Sequence, residues 1–226
     1  MTKSYKNILV IAPHPDDEVL GCGATMKKLA NEGRHVFVLI MSRGTPKHYT
    51  DERIENVRQE AREAHNLLGV KETLFFDYHA PELDTVPLAE LSRSIAQVIQ
   101  EKKIYTLFLP HRGDIHNDHS LVFKAGMVAA RPVGSFTVKD VYCYETLSET
   151  EWAAPFGDDT FIPSLFVNIT SSFDQKLRAM ECYKSQLRAF PNPRSLENME
   201  ALAKFRGATI GFERAEAFIV IRQIID

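Results

Sequence analysis

The sequence predicts a layered α/β fold with a mostly parallel central sheet, on three observations. Continuous apolar runs, NILVIA at 7–12 and HVFVLIM at 35–41, have the composition of strands buried on both faces. Amphipathic stretches of helical length separate these runs. Glycines close the helical stretches, at Gly33 and at Gly69.

In chain order, the strand at 7–12 leads to a helix at 20–31 and a second strand at 35–41. A charged amphipathic helix spans 51–68, and a short third strand spans 73–76. A helix at 88–100 precedes the strand YTLFL at 105–109, and another helix spans 119–130. Later strands are expected at 139–144 and 165–169, a helix at 173–187 and a last strand at 217–221. Strand and helix alternating at this spacing imply parallel βαβ units. The architecture expected is Rossmann-like, with ligands at the carboxyl ends of the strands. With no internal repeat and no low-complexity linker, residues 1–226 read as one domain. The Pro-, Gly- and Asp-containing stretch 153–163 reads as a loop over the site.

Composition excludes several classes. Of 226 residues, 44% are hydrophobic and 25% charged, as in ordinary globular chains and unlike disordered ones. The net charge of −3 and the lack of a long basic run argue against a nucleic-acid surface. Three cysteines, Cys22, Cys143 and Cys182, are odd in number and form no C-x-x-C pair, so neither a disulfide framework nor a zinc knuckle is expected. No apolar stretch approaches the length of a membrane span. Nor does the N-terminal segment have the pattern of a secretory signal. A reduced, cytoplasmic protein without membrane insertion is expected; a homo-oligomer remains open.

Histidine is distributed unevenly. The chain has 8, and His111, His116 and His119 fall within nine positions. Average density would place roughly 0.3 there. This cluster lies in PHRGDIHNDH, directly after the strand at 105–109. A second polar cluster, His14-Pro15-Asp16-Asp17-Glu18, directly follows the first strand. Imidazole nitrogen and carboxylate oxygen are the ligand types of a catalytic zinc site. Each cluster taken alone also fits a polar loop whose Asp caps the next helix. Capping accounts for one acid, however, and not for a His with three acids. Strand ends in one parallel sheet share an edge, so the clusters can converge across about 100 intervening residues.

His14-Pro15-Asp16-Asp17-Glu18 together with His116-Asn117-Asp118-His119 resembles the PIG-L/LmbE-like zinc-dependent N-deacetylases. The resemblance extends to Arg58-Gln59-Glu60-Ala61, to Lys176 with Ser185-Gln186, and to Ala215-Glu216-Ala217-Phe218. It implies a hydrolase that removes acetyl from an N-acetylglucosamine-type sugar or conjugate. It also implies zinc, or another divalent ion, held by His14, Asp17 and His119. Asp16 would be the general base, protonated His116 would stabilise the oxyanion, and Asp118 would orient or tune His116.

Other residues are read individually. Arg43, Arg58, Asp114 and Trp152 are candidates for substrate contact. His111 is expected to have no ligand role, and His35, His48, His65 and His79 to be surface or structural. Lys176, Ser185 and Gln186 are expected to serve packing and helix support. Gly21-Cys22-Gly23 lacks the third glycine and the strand-following position of a dinucleotide fingerprint, so no nucleotide cofactor is expected. Two other readings stay open at this level. One is a metallo-amidase or phosphoesterase on a non-sugar substrate, which two bound metals per chain would favour. The other is a non-catalytic binding protein on the same scaffold.

Overall fold

The computed structural model describes residues 7–133 and 138–225. Its elements are β1 (Asn7–Ala12), α1 (Asp17–Asn31), β2 (His35–Gly44), α2 (Asp51–Leu68), β3 (Glu72–Ala80), α3 (Leu88–Lys102) and β4 (Thr106–Pro110). They continue with α4 (Asn117–Ala129), β5 (Asp140–Tyr144), β6 (Leu165–Asn168), α5 (Phe173–Cys182), α6 (Leu196–Ala208) and β7 (Ala215–Arg222). A 3-10 turn, Leu83–Thr85, precedes α3.

The seven strands form one sheet in the order β3-β2-β1-β4-β5-β7-β6. β1 pairs in parallel with both β2 and β4, and β4 pairs in parallel with β5. β7 is antiparallel to β5 and to β6, so the last edge departs from the parallel pattern. The chain runs outward from β1 to β3, then returns to the other side of β1 with β4. That reversal is the switch point at which open α/β sheets bind ligands. Val10 of β1 lies opposite Phe108 of β4, so the segments leaving both strands emerge side by side.

The apolar runs sort by pleat. Ile8, Val10 and Ala12 pack on one face with Leu20, Met26, Ala61, Leu68 and Met180, from α1, α2 and α5. Leu9 and Ile11 pack on the other with Leu91, Ile95, Val122 and Ala125, from α3 and α4. Two-sided burial explains the absence of polar alternation in these strands. At Gly21 a Cβ would lie 2.2 Å from the Tyr144 ring, so α1 can sit this close to β5 only with glycine there.

Some boundaries differ from expectation. α1 begins at Asp17 rather than at 20, because the Asp16 carbonyl accepts from the amides of Val19 and Leu20 and draws the acidic motif into the first turn. α5 ends at Cys182 rather than at 187. The Ser185 amide instead donates to Glu60 Oε1 on α2, a long-range bond that the helix ladder cannot share. The helix α6 was not foreseen, although Ser195 caps it by accepting from the Asn198 amide. Among the described residues, no helix is long and apolar enough to cross a membrane.

Candidate active site

The two polar motifs meet at the carboxyl ends of β1 and β4. His14 Nδ1 lies 3.3 Å from Asp17 Oδ2, and His119 Nε2 lies 3.3 Å from the same oxygen. His14, Asp17 and His119 each offer a ligand atom, all within 4.8 Å of one another. His14, His116 and Asp118 form an overlapping group under the same distance. Asp17 and His119 are almost wholly buried, at 1% and 0% exposure.

The donor set fits a metal ion. His119 Nε2 is buried and has no hydrogen-bond partner, although it faces the other two donors. Behind it, His119 Nδ1 lies 2.7 Å from Asp114 Oδ2, and Asp114 Oδ1 accepts from Thr150 Oγ1 at 2.6 Å. A carboxylate holding the far nitrogen turns the near one toward a metal. Both Asp114 oxygens are therefore engaged away from the cavity, and the expected substrate contact is not met. Two nitrogens and one carboxylate oxygen match a catalytic zinc shell that leaves a position for water.

The acids of the first motif diverge. Asp17 Oδ2 also accepts from the His14 amide, which folds the motif onto itself. Asp16 turns the other way, at the wall of a cavity also lined by His14, Ser42, Arg43, Arg58, Gln186 and Arg194. Its backbone sits at φ 109°, a region that residues with a Cβ seldom adopt. Glu18 turns into the fold, one oxygen accepting from the Asp16 amide at 3.2 Å. Its carboxylate accepts from Tyr183 Oη and meets His65 Nε2 at 2.9 Å. His65 is thus structural, bridging Glu18 and Thr73 inside the fold.

Electrostatics follow from burial and neighbours. Burial opposes charge on His14, but hydrogen bonds to Asp118 and Asp17 outweigh it and lift its pKa to about 9. His119 is likewise lifted to about 10, where the Asp17 charge and the Asp114 bond overcome burial. Burial pushes Asp17 up, but the His119 charge beside it and the contact with His14 hold it well below the usual carboxylate range. Asp16 is pushed up to about 8 by burial, against the opposing charge of Arg194. Burial also lifts Glu149, to about 7.

His116 departs from expectation. Its Nδ1 accepts from the Asp118 amide at 3.1 Å, which leaves the ring proton on Nε2. Burial and the neighbouring His14 charge lower its pKa to about 4, so the neutral ring is favoured over the imidazolium. Asp118 Oδ2 lies 3.0 Å from His14 Nε2 and 4.0 Å from His116 Nδ1. Asp118 therefore steadies His14 more directly than His116.

The candidate substrate residues separate. Arg43 and Arg58 both line the cavity, and each is paired, with Asp51 at 3.2 Å and with Asp77 at 2.5 Å. Trp152 is 55% exposed and is not among the residues lining that cavity. The 153–163 loop packs on the second motif instead: His111 Nε2 lies 2.7 Å from the Asp159 carbonyl oxygen. Gln186, read as a packing residue, lines the cavity. Lys176 does serve support, bonding Glu216 Oε1 at 2.6 Å and the Leu20 carbonyl at 2.7 Å. Sequence reasoning missed Arg194, which lies 3.3 Å from Asp16, and Glu149 beside it. Neither belongs to a motif or a periodic stretch, so only their pairing in space reveals them.

Comparison with known proteins identifies the family. Residues 9–130, which carry both motifs, match the family described as GlcNAc-PI de-N-acetylase (PIG-L). The chain is 31% identical over 188 residues to the uncharacterized deacetylase YaiS of Escherichia coli, covering 80% of this chain and 91% of that one. It is 27% identical over 225 residues to a probable N-acetyl-alpha-D-glucosaminyl L-malate deacetylase 2 of Bacillus cereus, covering 94% and 96%. The crystal structure of a conserved protein of Thermus thermophilus superposes with a TM-score of 0.78 at 27% identity, covering 97% of this chain and 96% of that one. By its motifs, its fold and these matches, the chain belongs to the GlcNAc-PI de-N-acetylase (PIG-L) family.

Proposed function

We propose that the chain is a single-domain, cytoplasmic N-deacetylase. It hydrolyses the acetamide of an N-acetylglucosamine-type sugar or conjugate and releases acetate and a free amine. The observation that carries the reading is the convergence of His14, Asp17 and His119 beside Asp16 at the wall of one cavity. Family membership supports it, as do relatives named for removing acetyl from amino sugars.

His14, Asp17 and His119 would hold the ion, zinc by donor type. Bound there, it would supply Lewis acidity toward a carbonyl oxygen and toward water. Asp16 takes the proton of the attacking water, since burial keeps its carboxylate basic. The protonated Asp16 then returns that proton to the departing nitrogen, which cannot leave as an amide anion. His116, with its proton on Nε2, donates to the carbonyl oxygen as negative charge develops. Asp118 holds His14 in place, and Arg43 and Arg58 meet the hydroxyls or the aglycone of the substrate.

The test is acetate release from a panel of N-acetylglucosamine glycosides, with metal content measured on the same sample. The zinc-loaded chain should bind about one ion and release acetate from at least one glycoside. Asp16→Asn should keep the metal and lose about 100- to 10,000-fold in turnover. A folded, zinc-loaded chain that releases no acetate across the panel would overturn the reading.

A further inference from the structure

We propose that Arg194 is a positioning residue, whose guanidinium holds the Asp16 carboxylate at the cavity wall in the orientation that reaches the attacking water. This rests on the reading of Asp16 as the base.

The guanidinium is engaged on every arm. Its Nε donates to Ser148 Oγ at 2.8 Å. Nη1 lies 3.3 Å from Asp16 Oδ2 and donates to Gln186 Oε1 at 3.3 Å. Nη2 lies 3.6 Å from Glu149 Oε1. These partners come from three segments of chain: the turn after β1, the stretch after β5 and the stretch after α5. The Arg194 backbone is tied as well, its amide donating to Asn192 Oδ1 at 2.9 Å. A group fixed by that many contacts behaves as part of the frame.

Asp16 needs such a frame. It is 2% exposed, and its Oδ2 has no hydrogen-bond partner among the described residues. The ion pair with Arg194 is the contact recorded for that oxygen. The residue also occupies a positive-φ conformation, and such backbone strain persists only where surroundings over-determine it. Its amide is held by Glu18 Oε2 at 3.2 Å, which constrains the backbone but not the carboxylate. Arg194 constrains the carboxylate. A lysine would keep the charge but has no planar fork with which to meet Asp16, Ser148, Gln186 and Glu149 together.

The experiment uses the zinc-loaded full chain with Arg194→Ala and Arg194→Lys, assayed for kcat, KM, zinc content and thermal midpoint. For Arg194→Ala we expect kcat to fall about 100-fold, with KM within about 3-fold and zinc unchanged. Methylguanidinium added to that variant should restore activity about 10-fold. Arg194→Lys should lose about 10-fold despite its charge. A kcat within about 3-fold of the parent overturns the proposal. So does a loss that follows zinc content or thermal midpoint and does not respond to methylguanidinium. A crystal structure of Arg194→Ala decides the point without turnover. The Asp16 carboxylate should be displaced while His14 and Asp17 keep their places, and an unmoved carboxylate overturns the proposal. If the parent chain releases no acetate, the function fails, and this structure still reports whether Arg194 holds Asp16.

Discussion

Asp114 Oδ2 lies 2.7 Å from His119 Nδ1, so the one fully buried histidine of the site is aimed by a carboxylate behind it. With its Nδ1 proton donated to Asp114, His119 presents the Nε2 lone pair to the metal position. Thr150 holds the other oxygen of Asp114, which ties this orientation to the segment after β5. Loss of such an outer partner commonly costs 10- to 100-fold in metal affinity. Asp114→Ala should therefore weaken zinc binding by about that factor, measured by competition with a chelator. An unchanged affinity would show that packing alone orients His119.

Metal uptake should depend steeply on pH. Without metal, His14 and His119 carry pKa values of about 9 and about 10, so both imidazoles are protonated at neutral pH. Both protons must leave before the nitrogens can bind an ion. The sign follows: apparent affinity rises with pH below about 9 and levels off above about 10. Two released protons correspond to up to about 100-fold per pH unit. Titration with zinc at pH 6, 7 and 8 in a weakly buffering chelator checks this, and a flat profile would contradict it.

The Lys176–Glu216 pair should carry stability rather than chemistry. Lys176 and Glu216 side chains are 7% and 5% exposed and lie 2.6 Å apart. Glu216 also accepts from the amides of Ala24 and Thr25, which joins β7 to α1. Lys176→Met leaves a buried carboxylate without its cation, which costs about 3–5 kcal/mol. Urea unfolding of the zinc-loaded chain should show a loss of that size, with turnover per folded molecule retained. A change below about 1 kcal/mol would mean that Glu216 is adequately held by the two amides.

Gly113 sets the approach of the 153–163 loop. A Cβ there would lie 2.0 Å from the Asp159 carbonyl oxygen, the same oxygen that His111 Nε2 meets. Gly113→Ala must push the loop outward, at a cost of about 1–3 kcal/mol for an overpacked contact. Limited proteolysis should then cut within 153–163 faster than in the parent. Equal rates would place the loop's anchorage elsewhere, for instance at the Arg112–Asp159 pair.

Much of this molecule was legible in one dimension. The runs NILVIA and HVFVLIM lack polar alternation because both faces of their strands are covered, and they form β1 and most of β2. The two polar motifs were legible because His14, Asp16 and Asp17, and then His116, Asp118 and His119, are neighbours in sequence as well as in space. Helix ends were less so. The 173–187 stretch carries a helical pattern to its end, yet Ser185 is drawn to Glu60 and α5 stops at Cys182.

What the sequence determined by itself was the layered α/β fold and the two His- and Asp-bearing motifs that follow its strands, because both are carried by local patterns. What only the tertiary structure decided was direction. Glu18 turns inward to His65 and Tyr183, although it abuts two acids that face the site. Asp114 stands behind His119 rather than in the cavity. The proton of His116 is set by the Asp118 amide. Arg194 reaches Asp16 across 178 positions of sequence, which no local pattern records. The physical reason is the same in each case: side-chain direction is set by contacts between segments that meet only after the sheet has formed.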